Sequence, residues 1–223
     1  MNSVRIYAAA AQLQNGSLFV TGGFNEEGQT NSAEMLAEEV WEKKIPSLPA
    51  TISEHCMVTV NSTTVMVIGG LLYSDYSEKT FYFTFGEDSW TEGPRLNYRR
   101  RYCSCGRIGR DKDSQEMSII VAGGYDSSLS YILPAEILDE GSNEWRVGPE
   151  LPYGIVYSQL VEDQSGGVIL IGGYSSSIQY LDTLFQLSNG DQDAAWTQME
   201  LKLKTGRYWH TAFLVADNFV DCS

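Results

Sequence analysis

The chain has 223 residues, of which 29 are acidic and 15 basic, so its formal charge at pH 7 is −14. This charge argues against a nucleic-acid backbone or an anionic membrane as the main partner. No apolar run approaches the roughly twenty residues that a membrane-spanning helix needs. The N-terminal segment "VRIYAAAAQL" has too short an apolar stretch for a secretory signal, and we interpret it as a strand.

Four apolar runs in the chain each end in a glycine pair: "LFVTGGF", "VMVIGGL", "IIVAGGY" and "VILIGGY". The first glycines are 47, 54 and 49 residues apart, which indicates a structural repeat of about fifty residues. A tryptophan follows the second glycine of each pair after 18, 20, 21 and 23 residues. The predicted structural repeat residues are Gly22, Gly23, Gly69, Gly70, Gly123, Gly124, Gly172, Gly173, Trp41, Trp90, Trp145 and Trp196.

Each repeat contains four short segments with strand composition, separated by turn residues. We name these an A strand, a B strand that ends in the glycine pair, a C strand, and a D strand that carries the tryptophan. The segment "SAEMLAEEVWEK" comes closest to a helical period, and a helix there remains an alternative to the C strand. The predicted blades are residues 1–50, 51–96, 97–151 and 152–204, and residues 205–223 begin a further one with an A strand.

The repeat resembles the Kelch family through its glycine pairs, its spaced tryptophans and the R-x-x-H of Arg207 to His210. The A-strand positions that we align with His210 hold His55, Tyr102 and Tyr157, which is a looser match. The period is longer than that of WD40 repeats, and neither the G-H nor the W-D signature is present. The resemblance implies an all-β, Kelch-type β-propeller with four complete four-stranded blades plus one extra C-terminal strand.

Two structural expectations follow from the propeller interpretation. The glycine pairs should lie where the backbone turns sharply and a blade interface leaves little room for a Cβ atom. The final A strand has no B strand to pair with, so we expect an incomplete ring that is truncated at its N-terminus.

The resemblance also implies that the B–C loops and the D–A loops share one face, which would bind a protein partner. Tyrosines with a few serines and arginines are suited to recognition. The basic run Arg99–Arg101 fits either a carboxylate on the partner or neighbouring acidic loops. The predicted partner-binding residues are Tyr73, Asp75, Tyr76, Tyr98, Arg99, Arg100, Tyr125, Asp126, Tyr131, Tyr153, Tyr174, Tyr180 and Tyr208.

No catalytic residue, metal site or cofactor is predicted. A galactose-oxidase-like copper site would need two histidines with tyrosines, but His55 and His210 occupy repeat positions and are interpreted as structural. The four cysteines lack zinc-site spacing. We expect them to be buried free thiols, with a disulfide framework as the alternative.

Asn15 and Asn61 begin N-x-[ST] sequons in successive A–B turns and are predicted glycosylation sites, although such sequences also make good hairpin turns. Together with the expected N-terminal truncation, Cys222 near the chain end and the lack of a BTB-like helical region, they favour an extracellular, secreted protein over a cytoplasmic one. The expected function is a non-catalytic protein–protein interaction module. The alternatives are an intracellular Kelch substrate adaptor or cytoskeletal partner and, less favoured, a propeller enzyme.

Overall fold

A computed structural model describes residues 1–13, 15–42, 45–109, 116–191 and 193–214. The protein is all-β, and the described residues contain no helix. Four four-stranded antiparallel sheets follow one another along the chain, and one lies within each of the first four predicted repeat ranges. In every sheet the strands are ordered as they occur in the chain, as expected for the A, B, C and D segments.

Sheets 1 and 2 occupy the first half of the chain, and short hairpins fill their B–C loops. Sheet 1 has the order β1-β2-β5-β6, and sheet 2 has the order β8-β9-β12-β13. The strands are β1 (Ala9–Gln12), β2 (Leu18–Thr21), β3 (Phe24–Asn25), β4 (Gly28–Gln29), β5 (Ala33–Ala37), β6 (Val40–Glu42), β7 (Ile52–Ser53), β8 (Cys56–Thr59), β9 (Thr64–Ile68), β10 (Leu71–Leu72), β11 (Asp75–Tyr76), β12 (Thr80–Thr84) and β13 (Thr91–Glu92).

Sheets 3 and 4 repeat this arrangement in the second half. Sheet 3 contains β14 to β17, and sheet 4 has the order β18-β19-β22-β23. The strands are β14 (Ser104–Gly109), β15 (Met117–Ala122), β16 (Pro134–Leu138), β17 (Arg146–Glu150), β18 (Gln159–Glu162), β19 (Val168–Ile171), β20 (Tyr174–Ser175), β21 (Gln179–Tyr180), β22 (Thr183–Leu187) and β23 (Thr197–Lys202).

The sheets stack through their first strands: β1 lies beside β8, β8 beside β14, and β14 beside β18. This arrangement is compatible with a β-propeller-like fold, although the described residues do not form a closed ring. The predicted extra strand is not found at residues 205–214, which run beside sheet 4 without forming a strand. The rest of that predicted segment, 215–223, lies outside the described residues.

Three apolar cores lie between consecutive sheets of the described chain, and the B strands of sheets 2 and 3 each contribute to two of them. In β9, Val65 and Val67 pack towards sheet 1, whereas Met66 and Ile68 pack towards sheet 3. Because successive side chains of a strand point to opposite faces, a strand buried on both faces must be apolar throughout. This explains the continuous apolar runs that precede the glycine pairs of sheets 2 and 3.

The glycine pairs lie at the junctions between sheets, which we call the seams. The second glycine of each pair donates its N–H to a carbonyl of the next repeat, as Gly70 does to Arg100 at 2.8 Å. All eight glycines have positive φ. At Gly123, a Cβ atom would lie only 2.5 Å from the carbonyl oxygen of Ile155. Both the backbone conformation and the close approach therefore require glycine.

The repeated tryptophans also join one sheet to the sheet before it. The indole N–H groups of Trp90, Trp145 and Trp196 donate to the carbonyls of Pro46, Pro94 and Pro149, at 2.8, 3.0 and 3.2 Å. Each proline lies near the end of the preceding repeat, and a buried indole needs such an acceptor.

The helix alternative for "SAEMLAEEVWEK" is wrong, because this segment forms strands β5 and β6. Ala37 pairs with Val40, so that Glu38 and Glu39 make a two-residue turn. Their φ angles of 47° and 65° fit a type I′ turn, which matches the twist of the strands it joins.

Candidate functional site

The B–C and D–A loops lie on one face, where eleven aromatic side chains form a continuous network. Each ring has another of the set within 6.5 Å, centroid to centroid. We call this surface the aromatic face, and its members are Tyr7, Phe24, Tyr76, Tyr102, Tyr125, Tyr131, Tyr157, Tyr174, Tyr180, Tyr208 and Trp209.

Six of the predicted partner-binding residues belong to this network: Tyr76, Tyr125, Tyr131, Tyr174, Tyr180 and Tyr208. Tyr73 and Asp75 lie outside it, at the exposed tip of the β10–β11 hairpin. Tyr98 also lies outside it, and its ring is near the Arg100 guanidinium. Tyr153 packs on Phe185 between sheets 3 and 4. Asp126 caps its own loop, because one carboxylate oxygen accepts the N–H groups of Ser128 and Ser130.

The three arginines of the basic run have three different environments, although each pairs with a carboxylate of the chain. Arg99 is exposed and its Nε lies 2.9 Å from Glu78. Arg101 donates to Glu54 at 3.0 Å, and its guanidinium lies 4.6 to 5.0 Å from the ring centroids of Tyr76, Tyr102 and Tyr125.

Arg100 was predicted to bind a partner, and this prediction is wrong. Its side chain is fully buried and donates to Glu136 at 2.7 Å and to the carbonyl of Gly123 at 3.0 Å. The same arrangement recurs in sheet 1, where Arg5 pairs with Glu34 and also bonds the Gly22 carbonyl. The Arg100 guanidinium is therefore part of the seam.

Five equivalent residues form an inner ladder at the centre of the aromatic face. Their positions are Tyr7, Glu54, Tyr102, Tyr157 and Trp209, and all have φ between 52° and 59°. Each of the last four donates its backbone N–H to the carbonyl of the one before it, at 2.9 to 3.1 Å. A positive φ is unusual for aromatic residues, so the backbone is held by its surroundings.

The inner ladder corrects our alignment of the A-strand positions. Tyr102 and Tyr157 belong with Glu54 and Trp209, so the counterparts of His55 and His210 are Cys103 and Ser158, one residue later. The glycine contacts agree with this register: His55 lies near the Gly70 backbone just as Cys103 lies near Gly124. Sequence reasoning therefore missed four aromatic members of the network, Tyr7, Tyr102, Tyr157 and Trp209, as well as Phe24.

A small cavity of about 150 Å³ opens at the inner ladder. Four aromatic residues line it, Tyr7, Tyr102, Tyr157 and Trp209, together with the acidic residue Glu54. The remaining lining residues are Ala8, His55, Cys103, Ser158 and Gln159. Within the described part of the chain, no lysine or arginine lines this cavity.

The titratable groups around this cavity are strongly affected by burial. Burial lowers the pKa of His55 to about 3, and its Nε2 lies 2.9 Å from the Thr21 hydroxyl. Burial and a hydrogen bond to Glu54 raise the pKa of Tyr102, and burial and a hydrogen bond to Tyr125 raise the pKa of Tyr157. At neutral pH the imidazole and both phenols are therefore uncharged.

The expectation of free thiols is wrong for two of the four cysteines. Cys56 of β8 and Cys105 of β14 form a disulfide, with Cα atoms 5.9 Å apart, and it joins the first strands of sheets 2 and 3. Cys103 is free and buried, and burial raises the pKa of its thiol to about 11. Cys222 lies outside the described residues.

The two predicted glycosylation sites lie in the A–B turns, at the ends of the strands remote from the aromatic face. Asn15 and Asn61 are both exposed. The Asn15 side-chain oxygen accepts the N–H of Ser17, and that of Asn61 accepts the N–H of Thr63. These bonds are the ones that stabilise short turns, so the turn role and an acceptor role are compatible at both sites.

Among the residues that the structure describes, no group of three or more histidine, cysteine, aspartate or glutamate side chains is placed to hold a metal ion. In the same part of the chain, no helix has the length and apolar character needed to cross a bilayer. No protein-family model matches the chain, and no curated protein sequence matches it significantly. The Kelch resemblance therefore rests on the chain's own repeat.

Proposed function

We propose that this protein is a non-catalytic recognition module of Kelch-type β-propeller architecture that binds a protein partner through the aromatic face. The observation that carries the proposal is the continuous aromatic network on the side where the loops converge. Tyrosine and tryptophan offer a large contact area at a low cost in side-chain entropy, which suits them to interfaces.

The exposure of this face supports the same proposal. Tyr180 and Trp209 are 56% and 55% exposed, and the apolar loop tips Leu129 and Ile178 are 64% and 53% exposed. The apolar cores lie between the sheets and do not require these side chains. Apolar groups grouped on one surface and surrounded by polar loops are typical of an interaction site.

The proposal is tested by selecting binders from a random peptide display library on the purified protein. We expect selected peptides to lose at least tenfold in affinity for the Tyr180→Ala and Tyr208→Ala variants, because both rings belong to the aromatic face. The matched control is Asn61→Gln at the remote A–B turn, which should leave their affinity unchanged. Binders that are sensitive to the control and insensitive to both tyrosine variants would contradict the proposal.

We further propose that the module acts outside the cell. The sequons at Asn15 and Asn61 lie away from the aromatic face, so glycans there would leave it free. The Cys56–Cys105 disulfide gives independent support, because disulfides persist in oxidising compartments. Mass spectrometry of protein from its native source should find glycan on at least one asparagine. Unmodified asparagines together with reduced Cys56 and Cys105 would contradict an extracellular location.

A further inference from the structure

We propose that the cavity at the inner ladder binds a positively charged side-chain head group, a guanidinium or an ammonium, of the protein partner. The inference rests on the proposed function and specifies the chemistry at the centre of the aromatic face. The lining combines four aromatic residues and one glutamate and, in the described part of the chain, contains no lysine or arginine.

The walls of the cavity have the electrostatic character that attracts a cation. The π-face of an aromatic ring carries partial negative charge, and a cation within about 6 Å of the ring centroid is attracted to it. Tyr7, Tyr102, Tyr157 and Trp209 line the space, and the ring centroids of neighbouring members of this set lie 4.3 to 6.5 Å apart, so that these rings also contact one another. Trp209 and Tyr7 are also exposed, at 55% and 39%, so the cavity is open to a ligand.

The polar residues of the lining favour positive charge over negative charge. Glu54 is the acidic residue of the lining and pairs with the Arg101 guanidinium at 3.0 Å, and the low pKa of His55 keeps that imidazole neutral. The other polar groups, on Cys103, Ser158 and Gln159, are uncharged at neutral pH. An anionic group would therefore find no lysine or arginine in the described lining, whereas a cationic group would find the aromatic rings and a carboxylate that it would share with Arg101.

The protein itself holds a cation in the adjoining part of the same network. The Arg101 guanidinium lies over the rings of Tyr76, Tyr102 and Tyr125 and is paired with Glu54. Tyr102 and Glu54 are shared between that site and the cavity. Rings and a carboxylate of the aromatic face thus already hold one cation beside residues that line the cavity.

The size of the cavity fits a single head group. Its 150 Å³ is well below the roughly 300–1,000 Å³ of a site for a drug-sized molecule. The acidic chain, with a formal charge of −14, would also attract a partner with basic residues over a longer range.

The test is an NMR titration with four capped tripeptides, Ac-Gly-X-Gly-NH2, in which X is arginine, lysine, trimethyllysine or glutamine. The probe signal is the indole N–H of Trp209, identified as the resonance that the Trp209→Phe variant lacks. We expect at least one cationic peptide to shift this resonance and to bind at least tenfold more tightly than the glutamine peptide. The three cationic peptides separate a guanidinium, an ammonium and a methylated ammonium as the preferred group.

Two variants connect the binding to the cavity. Tyr7→Leu removes an aromatic wall and Glu54→Gln removes the carboxylate, and each should weaken the cationic peptide at least fivefold. Tyr73→Ala, on the same side of the molecule but outside the cavity, should have no effect. Glu54→Gln also removes the ion pair with Arg101. If that variant fails to fold, Tyr7→Leu alone tests whether the peptide binds at the cavity.

The inference is overturned if the glutamine peptide binds as tightly as the cationic ones, if no cationic peptide shifts the Trp209 resonance, or if Tyr73→Ala and Tyr7→Leu have equal effects. Display-selected peptides separate this failure from failure of the proposed function. If they bind the aromatic face and keep their affinity when their arginines and lysines become glutamine, the cation site is wrong but the recognition face stands.

Discussion

At the seams, one set of contacts is repeated from sheet to sheet with the same residue types. Glycine pairs donate to the next repeat, indoles donate to proline carbonyls, and buried arginine–glutamate pairs occur in sheets 1 and 3. On the aromatic face, equivalent positions hold different residues: the inner ladder contains Glu54 among aromatic residues. Repeated residues therefore determine how sheets join, whereas positions that vary between repeats give the face its chemistry.

The greatest loss of stability is expected for Arg100→Gln. Both side chains of the Arg100–Glu136 pair are fully buried, and removing one partner leaves an uncompensated charge, at a cost of about 3–5 kcal/mol in the free energy of unfolding. Arg99→Gln is the matched control. The Arg99 side chain is 58% exposed, so its loss should cost no more than about 1 kcal/mol. Urea unfolding measures both, and equal losses would contradict a seam role for Arg100.

The next largest loss of stability is expected at Gly123, where the cost of steric crowding can be distinguished from the cost of a left-handed backbone. Gly123 and Gly141 have similar φ angles, 69° and 74°, but of the two only Gly123 has neighbouring atoms within 4 Å of the place that a Cβ atom would occupy. Gly141→Ala should cost roughly 1 kcal/mol for its left-handed backbone. Gly123→Ala should cost about 2–3 kcal/mol more because the methyl group meets the Ile155 carbonyl. Equal costs by urea unfolding would mean that the seam is not crowded there.

A pH-dependent effect is expected from His55, whose pKa is about 3 in the folded protein and about 6.5 when unfolded. Between these values the unfolded chain binds more protons, so stability is fully present above pH 6.5 and falls as the pH is lowered. By pH 5 this histidine should contribute a loss of about 2 kcal/mol. The unfolding free energy of His55→Gln should therefore change less between pH 7 and pH 5. An unchanged pH dependence would contradict the burial of a neutral His55.

On the aromatic face, substitutions should affect stability least. Tyr180 is 56% exposed, so Tyr180→Ala should change the free energy of unfolding by no more than about 0.5 kcal/mol. The same variant should lose at least tenfold in affinity for display-selected peptides. A large loss of stability with retained peptide affinity would mean that Tyr180 has a structural role, like the residues of the seams, and not a role in binding.

The repeat made much of the fold predictable from sequence. Glycine pairs and tryptophans at regular spacing indicated four strands per repeat, and four four-stranded sheets are found. The role of Arg100 depended on Glu136, which is 36 residues away. The sequence did contain a signal for this buried pair. Asn2-x-x-Arg5 and Asn97-x-x-Arg100 each precede a glycine pair, and a glutamate follows that pair, Glu34 in the first repeat and Glu136 in the third.

Other features could not be read from the chain because they depend on how the sheets stack. The Cys56–Cys105 disulfide joins residues 49 apart, which only the packing of β8 against β14 brings together. The inner ladder was missed because tyrosine rarely adopts positive φ, and an aromatic residue next to the repeat histidine position resembles a substitution of that histidine. The cavity then depends on rings from four separate repeats.

The central claim is that the seams join the sheets whereas the aromatic face recognises the partner. Hydrogen–deuterium exchange tests it directly by measuring amide exchange rates with and without a display-selected peptide. We expect the peptide to slow exchange in the B–C and D–A segments, including 71–77, 99–103, 125–132, 153–158 and 174–181. The A–B turns around Asn15 and Asn61 should exchange as before. Protection confined to the A–B turns would contradict this separation.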